Sequence, residues 1–261
     1  MNNSSSLRRI LYLIRIELTD NGQNLLLMYG VLMALLLIML LPVCFFDTYN
    51  HLSQLAQYGA VPVVFIFGSS LYTGNALSRY SVGAKGMQAF MVPASVSEKL
   101  FCSLLINLMF LVPFAIIFWQ VHYAAITFAN TKIAATEKQF SYMSGPVMIY
   151  ACYCFFLMHS AIFLGSVYFT RFAYVKTLAC MMIFLLLITT MNSAFANYLA
   201  SYPGMMGAIP FGGWNIVRDS SLKVYRISFP ESVSAFLYIF PVLMIAGFWY
   251  TSYQRLREKQ I

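Results

Sequence analysis

Charge is what this sequence has least of. Aspartate, glutamate, lysine and arginine make up 9% of its 261 residues, against about 25% in an ordinary soluble domain, and only eight of them are acidic. A chain so short of ionised groups cannot clothe a water-soluble fold, and that class is excluded first. Catalytic signatures are missing as well: there is no His-Glu-x-x-His, no Gly-x-Ser-x-Gly and no Gly-x-x-x-x-Gly-Lys-Ser/Thr loop to cradle phosphates. The nearest glycine-rich stretch, Gly83-Ala84-Lys85-Gly86, has neither the spacing nor the following hydroxyl. The five cysteines (Cys44, Cys102, Cys152, Cys154 and Cys180) lack the paired spacing of a zinc site or a secreted disulfide framework. Cys152 and Cys154 point to different sides of a helix, so apolar packing is their expected role. No enzymatic activity, bound cofactor or metal is expected in this chain. Internal repeats, low-complexity tracts and a soluble domain are also lacking.

Apolar sequence is what remains, at 61% of the chain. The few charges leave six windows with none: 21–46, 48–78, 100–131, 139–170, 177–217 and 232–254. A helix rises about 1.5 Å per residue, so roughly 20 apolar residues cross a hydrocarbon core of about 30 Å and each window supplies one span. The expected fold is an all-α membrane protein, a single transmembrane domain over residues 1–261. Its six spans lie near Leu25–Phe46, Tyr58–Leu77, Leu100–Val121, Pro146–Phe169, Thr177–Leu199 and Val233–Tyr253. The fifth window has room for two crossings, but Pro203, Gly204, Gly207, Pro210, Gly212 and Gly213 break helices in its second half. It reads as one span followed by an irregular extracytoplasmic segment over 200–232, with partial re-entry left open. The run Leu25–Phe46 exceeds the apolar core of a cleavable signal peptide and lacks an Ala-x-Ala-like site, so it stays as the first span. Before it, Leu7, Ile10, Leu11, Ile14 and Leu18 share one helical face with Arg8 and Arg15 turned away. Residues 1–23 are therefore expected to form an amphipathic helix in the membrane interface, the alternative being a cytoplasmic extension of the first span.

Orientation follows from the basic residues. Segments on the side of the N-terminus carry eleven Lys and Arg, and segments on the other side carry five, which predicts both termini in the cytoplasm. The net charge of +8 is thereby explained by topology, and nucleic acid is not an expected partner. Tyr49, Tyr58, Trp119, Tyr123, Tyr198, Trp214, Trp249 and Tyr253 fall at span ends and suit an interfacial belt. Ion-coupled transport normally leaves ionisable residues inside the membrane, because a charge there costs at least about 2.5–3.5 kcal/mol on insertion scales. None of the eight acids lies in a span, which weighs against a secondary transporter. His159 is the one titratable group well inside a span, and it reads as a helix-to-helix hydrogen bonder.

The segment between the second and third spans is the most informative. It runs Ser78-Arg79-Tyr80, Gly83-Ala84-Lys85-Gly86, and Phe90-Met91-Val92-Pro93-Ala94-Ser95-Val96-Ser97-Glu98-Lys99. Ser95 and Glu98 have capping-box spacing and predict a helix start. The run Pro93-Ala94-Ser95-x-x-Glu98-Lys99 resembles the Leu-Pro-Ala-Ser-x-x-Glu-Lys signature of type-2 ABC transporter permeases of Bacteroidetes-like bacteria, with Val92 in place of the leucine. The stretch from Gly165 to Arg171 and on to Lys176-Thr177 resembles that family's fourth-to-fifth connection. Tyr253-x-x-Leu256-Arg257-Glu258-Lys259-Gln260 resembles its tail, with Arg257 where lysine is common.

The resemblance implies a permease in the cytoplasmic (inner) membrane of a bacterium. It would pair with a second permease, identical or not, and with two cytoplasmic ATP-binding subunits that hold the ATP and Mg this chain does not. It makes Arg79, Lys85, Pro93, Ser95, Glu98 and Lys99 candidates for coupling to the ATPase, their other role being topology and capping. It also implies a translocation path lined by the second and fifth spans. Suitable residues are Ser69, Thr73 and Asn75 in the second, and in the fifth Thr189, Ser193 and Asn197 at i, i+4 and i+8 with Asn192 beside them. Helix packing uses the same residue types. The expected function is that of a non-catalytic transmembrane subunit of a type-2 ABC exporter. A non-transporting sensor or assembly subunit is the alternative, and an ion-coupled secondary transporter ranks behind it. Neutral, small path residues leave the substrate unnamed.

Overall fold

A computed structural model of the chain describes residues 3–46, 49–77, 80, 94–133, 138–200, 205–208, 214–217, 224–227 and 231–259. Helix α1 runs from Asn3–Phe45 as a single rod. The second rod comprises α2 (His51–Ala60), a π-helical segment (Val61–Gly68) and α3 (Ser69–Thr73). Then follow α4 (Val96–Lys132), α5 (Gly145–Tyr168) and α6 (Ala173–Ala200). Three short strands come next, β1 (Met205–Ala208), β2 (Trp214–Val217) and β3 (Val224–Ile227), and α7 (Glu231–Glu258) ends the chain. Five rods, over residues 8–45, 51–73, 96–132, 145–168 and 173–198, are long and apolar enough to cross a bilayer. The sixth window lies within α7, which packs against α5 and α4.

Each window without charge contains a long helical stretch, because an amide in oil must bond within its own segment, and the fifth, 177–217, holds two short strands beyond its helix. The helices overrun the windows, since i→i−4 bonding does not stop at a charged side chain. Two expectations change. Residues 3–45 form one helix of about 64 Å, so the amphipathic stretch is the continuation of the first span and not a separate interfacial helix. The segment 200–232, expected to be irregular, contains an antiparallel sheet ordered β1-β2-β3, with Met205 opposite Val217 and Trp214 opposite Ile227. An antiparallel ladder satisfies the backbone groups a helix would have bonded.

The core lies where α1, the second rod, α4 and α5 meet. Leu32, Leu36, Leu40 and Val43 recur at helical spacing on α1 and are buried against Phe110, Phe114 and Phe118 of α4. Phe65 of the π-helical segment stacks on Phe118 at 4.7 Å and on Phe155 of α5 at 4.3 Å. A smaller cluster, Leu77, Tyr80, Phe163, Val167 and Leu256, closes the other end of the bundle. α5 and α6 approach so closely at Gly165 that a Cβ there would lie 1.7 Å from Thr177 Oγ1. By contrast, among the described residues α6 packs mainly on α5 and β1, and its most apolar stretch buries none of its residues.

Candidate functional site

The helix packing defines two ends. At one end Cys44, at the last turn of α1, accepts a 3.0 Å hydrogen bond from Lys132 Nζ. Close by, Gln57 Nε2 donates to the Ser141 carbonyl at 2.9 Å, and Asn130 holds both backbone groups of Phe140. The opposite end gathers Arg9 of α1, the start of α4 and the close of α7. There the Ser95 hydroxyl accepts from the Glu98 amide, while the Glu98 carboxylate accepts from the Ser95 amide at 2.9 Å. The capping box expected from sequence is thus formed. Glu98 has a second task, an ion pair with Arg9 at 3.4 Å. Its side chain joins Ile10, Leu100, Phe101, Leu104, Trp249 and Tyr253 around a groove of about 500 Å³.

Beside it Lys99 is buried to 2% exposure. On the tail, Lys259 Nζ donates to the Val167 carbonyl at 2.6 Å, and burial together with the Arg255 charge pulls its ammonium below the usual lysine range. Arg255 is raised by its hydrogen bond to Glu258 at 2.6 Å. Of the coupling candidates, Ser95, Glu98 and Lys99 therefore lie together at the start of α4, and Glu98 meets Arg9 of α1 and shares a groove with Trp249 and Tyr253 of α7. Arg79, Lys85 and Pro93 lie outside the described residues.

The path candidates divide. Ser69 and Thr73 are fully buried, and the one histidine singled out in a span binds both. Thr73 Oγ1 lies 2.6 Å from His159 Nδ1 and donates to Asn107 Oδ1 at 3.0 Å. Ser69 Oγ lies 3.0 Å from His159 Nε2 and donates to the Phe65 carbonyl at 2.5 Å. The π-helical segment loosens the i→i−4 ladder just before Ser69, and Ser69 and Ser70 hydroxyls bond back to the Phe65 and Phe67 carbonyls within it. His159 is accordingly the interhelical hydrogen bonder its isolation indicated, joining α5 to the second rod, while Thr73 carries the chain on to Asn107 of α4. Asn75 is exposed.

On α6, Thr189, Asn192 and Ser193 are half-buried and Asn197 is exposed, so the i, i+4, i+8 set turns gradually outward. Thr189 donates to the Leu185 carbonyl. The two rods meet at their ends, where Tyr174 Oη donates to the Phe67 carbonyl at 3.1 Å.

Sequence reading passed over Asn107 and His122. His122 lies one residue beyond the expected span and reaches the Gln57 carbonyl at 3.2 Å. Asn107 had a signal: Lys99, Ser103 and Asn107 recur at i, i+4 and i+8 in an apolar run, the spacing that drew attention to the fifth span. The fold is of the helical class, with five helices among the described residues long and apolar enough for a multi-pass membrane protein. No protein-family model, curated protein or solved structure matches the chain.

Proposed function

We propose that this chain is the transmembrane subunit of a type-2 ABC exporter, driven by ATP hydrolysed on a separate cytoplasmic subunit and paired with a second permease. The observation that carries the reading is the junction of Ser95, Glu98 and Arg9, which caps the first turn of α4 and ties it to α1. A push on that segment would be passed to α1 and α4 as one lever, and a two-state membrane domain needs such a contact so that nucleotide favours one state over the other. The proposal includes six crossings, with α7 as the sixth, and a cytoplasmic location for the end that holds Arg9, Glu98 and Lys259. Support comes from the eleven-to-five distribution of Lys and Arg and from the Pro93–Lys99 resemblance.

The test is purification of the chain with the products of its neighbouring genes. An ATPase subunit should accompany it, and Glu98→Ala should uncouple ATP hydrolysis from efflux while leaving the complex assembled. Purification without any ATP-binding partner removes the energy source and the reading with it. Reporter fusions after Asp47 and Lys132 should face away from a reporter at Met1.

A further inference from the structure

The corner where α5 passes into α6 collects positive charge from more than one element. Val167, Tyr168 and Phe169 are consecutive, and each is met by a different cation. Lys259 Nζ donates to the Val167 carbonyl at 2.6 Å, the Arg255 guanidinium lies 4.8 Å from the centre of the Tyr168 ring, and Lys176 Nζ lies 5.7 Å from that of Phe169. Arg171, in the turn between the helices, is exposed. A helix C-terminus favours a neighbouring cation, and the Lys259 bond answers that demand. It does not account for the other three. Glu258, bonded to Arg255, is the one acid paired with any of the four among the described residues. Burial first and the Arg255 charge second pull the Lys259 ammonium down, so like charges already work against each other here.

The same corner exposes aromatic surface. Tyr168 is 56% exposed and Phe172 78%, and Phe172 keeps a phenyl ring at φ of 53°, where glycine would sit without strain. The depth of the corner is set by α5. Its 24 residues span about 36 Å at about 1.5 Å each, slightly more than a hydrocarbon core of about 30 Å. α5 ends at Tyr168 and α6 starts at Ala173, so the turn 169–172 is too short to rise clear of the headgroup layer. Rings at that level sit at the boundary of oil and water, and cations beside them lie level with lipid phosphates. An acidic protein surface would answer the charges but not the rings.

We propose that Arg171, Lys176, Arg255 and Lys259 form a binding site for the phosphate of an anionic phospholipid, with Tyr168 and Phe172 lodged at the top of its acyl region. Four cations against one acid select anionic over zwitterionic lipid, and the bound lipid fixes the α5–α6 turn at the membrane surface. The site needs only a bilayer around the helices and does not depend on an ATPase partner.

The experiment is native mass spectrometry of the full-length chain in detergent, titrated with dimyristoylphosphatidylglycerol or with dimyristoylphosphatidylcholine. The anionic lipid should bind several-fold more tightly. Arg171→Gln combined with Lys176→Gln, both at exposed positions, should remove that preference, at about fivefold in affinity for each basic residue near the surface. Arg171→Lys with Lys176→Arg should keep it. Lys138→Gln, which takes a cation from beside the Tyr49 ring at the opposite end, should leave it unchanged. Equal binding of the two lipids by the unmodified protein overturns the inference and leaves the corner to an acidic protein surface. An equal loss from Lys138→Gln also overturns it, since net charge and not this corner would then select the lipid. So does displacement of the bound lipid by inorganic phosphate, which would show a site for free anions. Melting curves without added lipid check that the variants fold, and Lys176→Gln alone decides the matter if the double variant does not.

Discussion

Three side chains carry structural tasks that a single substitution isolates. Glu98 both caps α4 and pairs with Arg9, and glutamine can do the first but not the second. Since Arg9 is 44% exposed the pair is screened, and Glu98→Gln should cost about 0–1 kcal/mol. Ser95→Ala removes the cap and should cost about 1 kcal/mol. Thermal melting in detergent separates the two. His159→Phe keeps the volume but loses both interhelical bonds, worth about 0.6 kcal/mol each on average in membrane proteins. A melting temperature equal to that of the unmodified chain would contradict the network. Phe172, with φ of 53°, is the one non-glycine residue at positive φ among those described. Left-handed backbone costs an L-residue about 1–2 kcal/mol, so Phe172→Gly should raise the melting temperature.

Among elements, the α5–α6 pair and the π-helical segment make the sharpest demands. A methyl at Gly165 would meet Oγ1, Cβ and Cγ2 of Thr177, the last two within 3 Å. Backing away is not open to a β-branched residue whose stem is itself too close. Gly165→Ala should therefore push α6 outward and cost about 1–3 kcal/mol, with partial recovery on adding Thr177→Ala, as a double-mutant melting cycle would show. In the second rod, deleting one residue between Val61 and Gly68 would turn everything beyond it by about 100°. Ser69 and Thr73 would leave His159. The deletion should then be non-additive with His159→Phe in melting experiments, because both remove the same bonds.

For the whole molecule, the uneven burial of the rods is the main fact. The inner set shares the aromatic core, whereas α6 presents Met182, Ile183, Leu186, Leu187, Met191 and Phe195 outward. If two copies pair through that face, as the proposed function allows, Met191, at 72% exposure, is the residue to test. Met191→Cys should form an intermolecular disulfide in oxidised membranes of cells expressing the chain alone if two copies pair. Leu36→Cys, buried within the bundle, should not.

Much of this was legible beforehand. The windows without charge located the helices, and Ser95 and Glu98 located the start of α4, because solvation and capping are local properties of a few consecutive residues. The continuity of α1 was only half legible, since residues 7–18 suit either a separate interfacial helix or an extension of the first span, and a local pattern does not choose between them. Asn107 was missed because it gains its meaning only beside Thr73 and His159.

The sequence by itself determined the solvent: long stretches without ionised groups belong in oil, and their lengths set the number of rods. Only the tertiary structure decided which faces meet, that His159 ties α5 to the second rod, and that Glu98 reaches Arg9. Those outcomes depend on rotations and distances between segments far apart in the chain, where the free-energy differences are small sums over many contacts and leave no mark in any local run of residues.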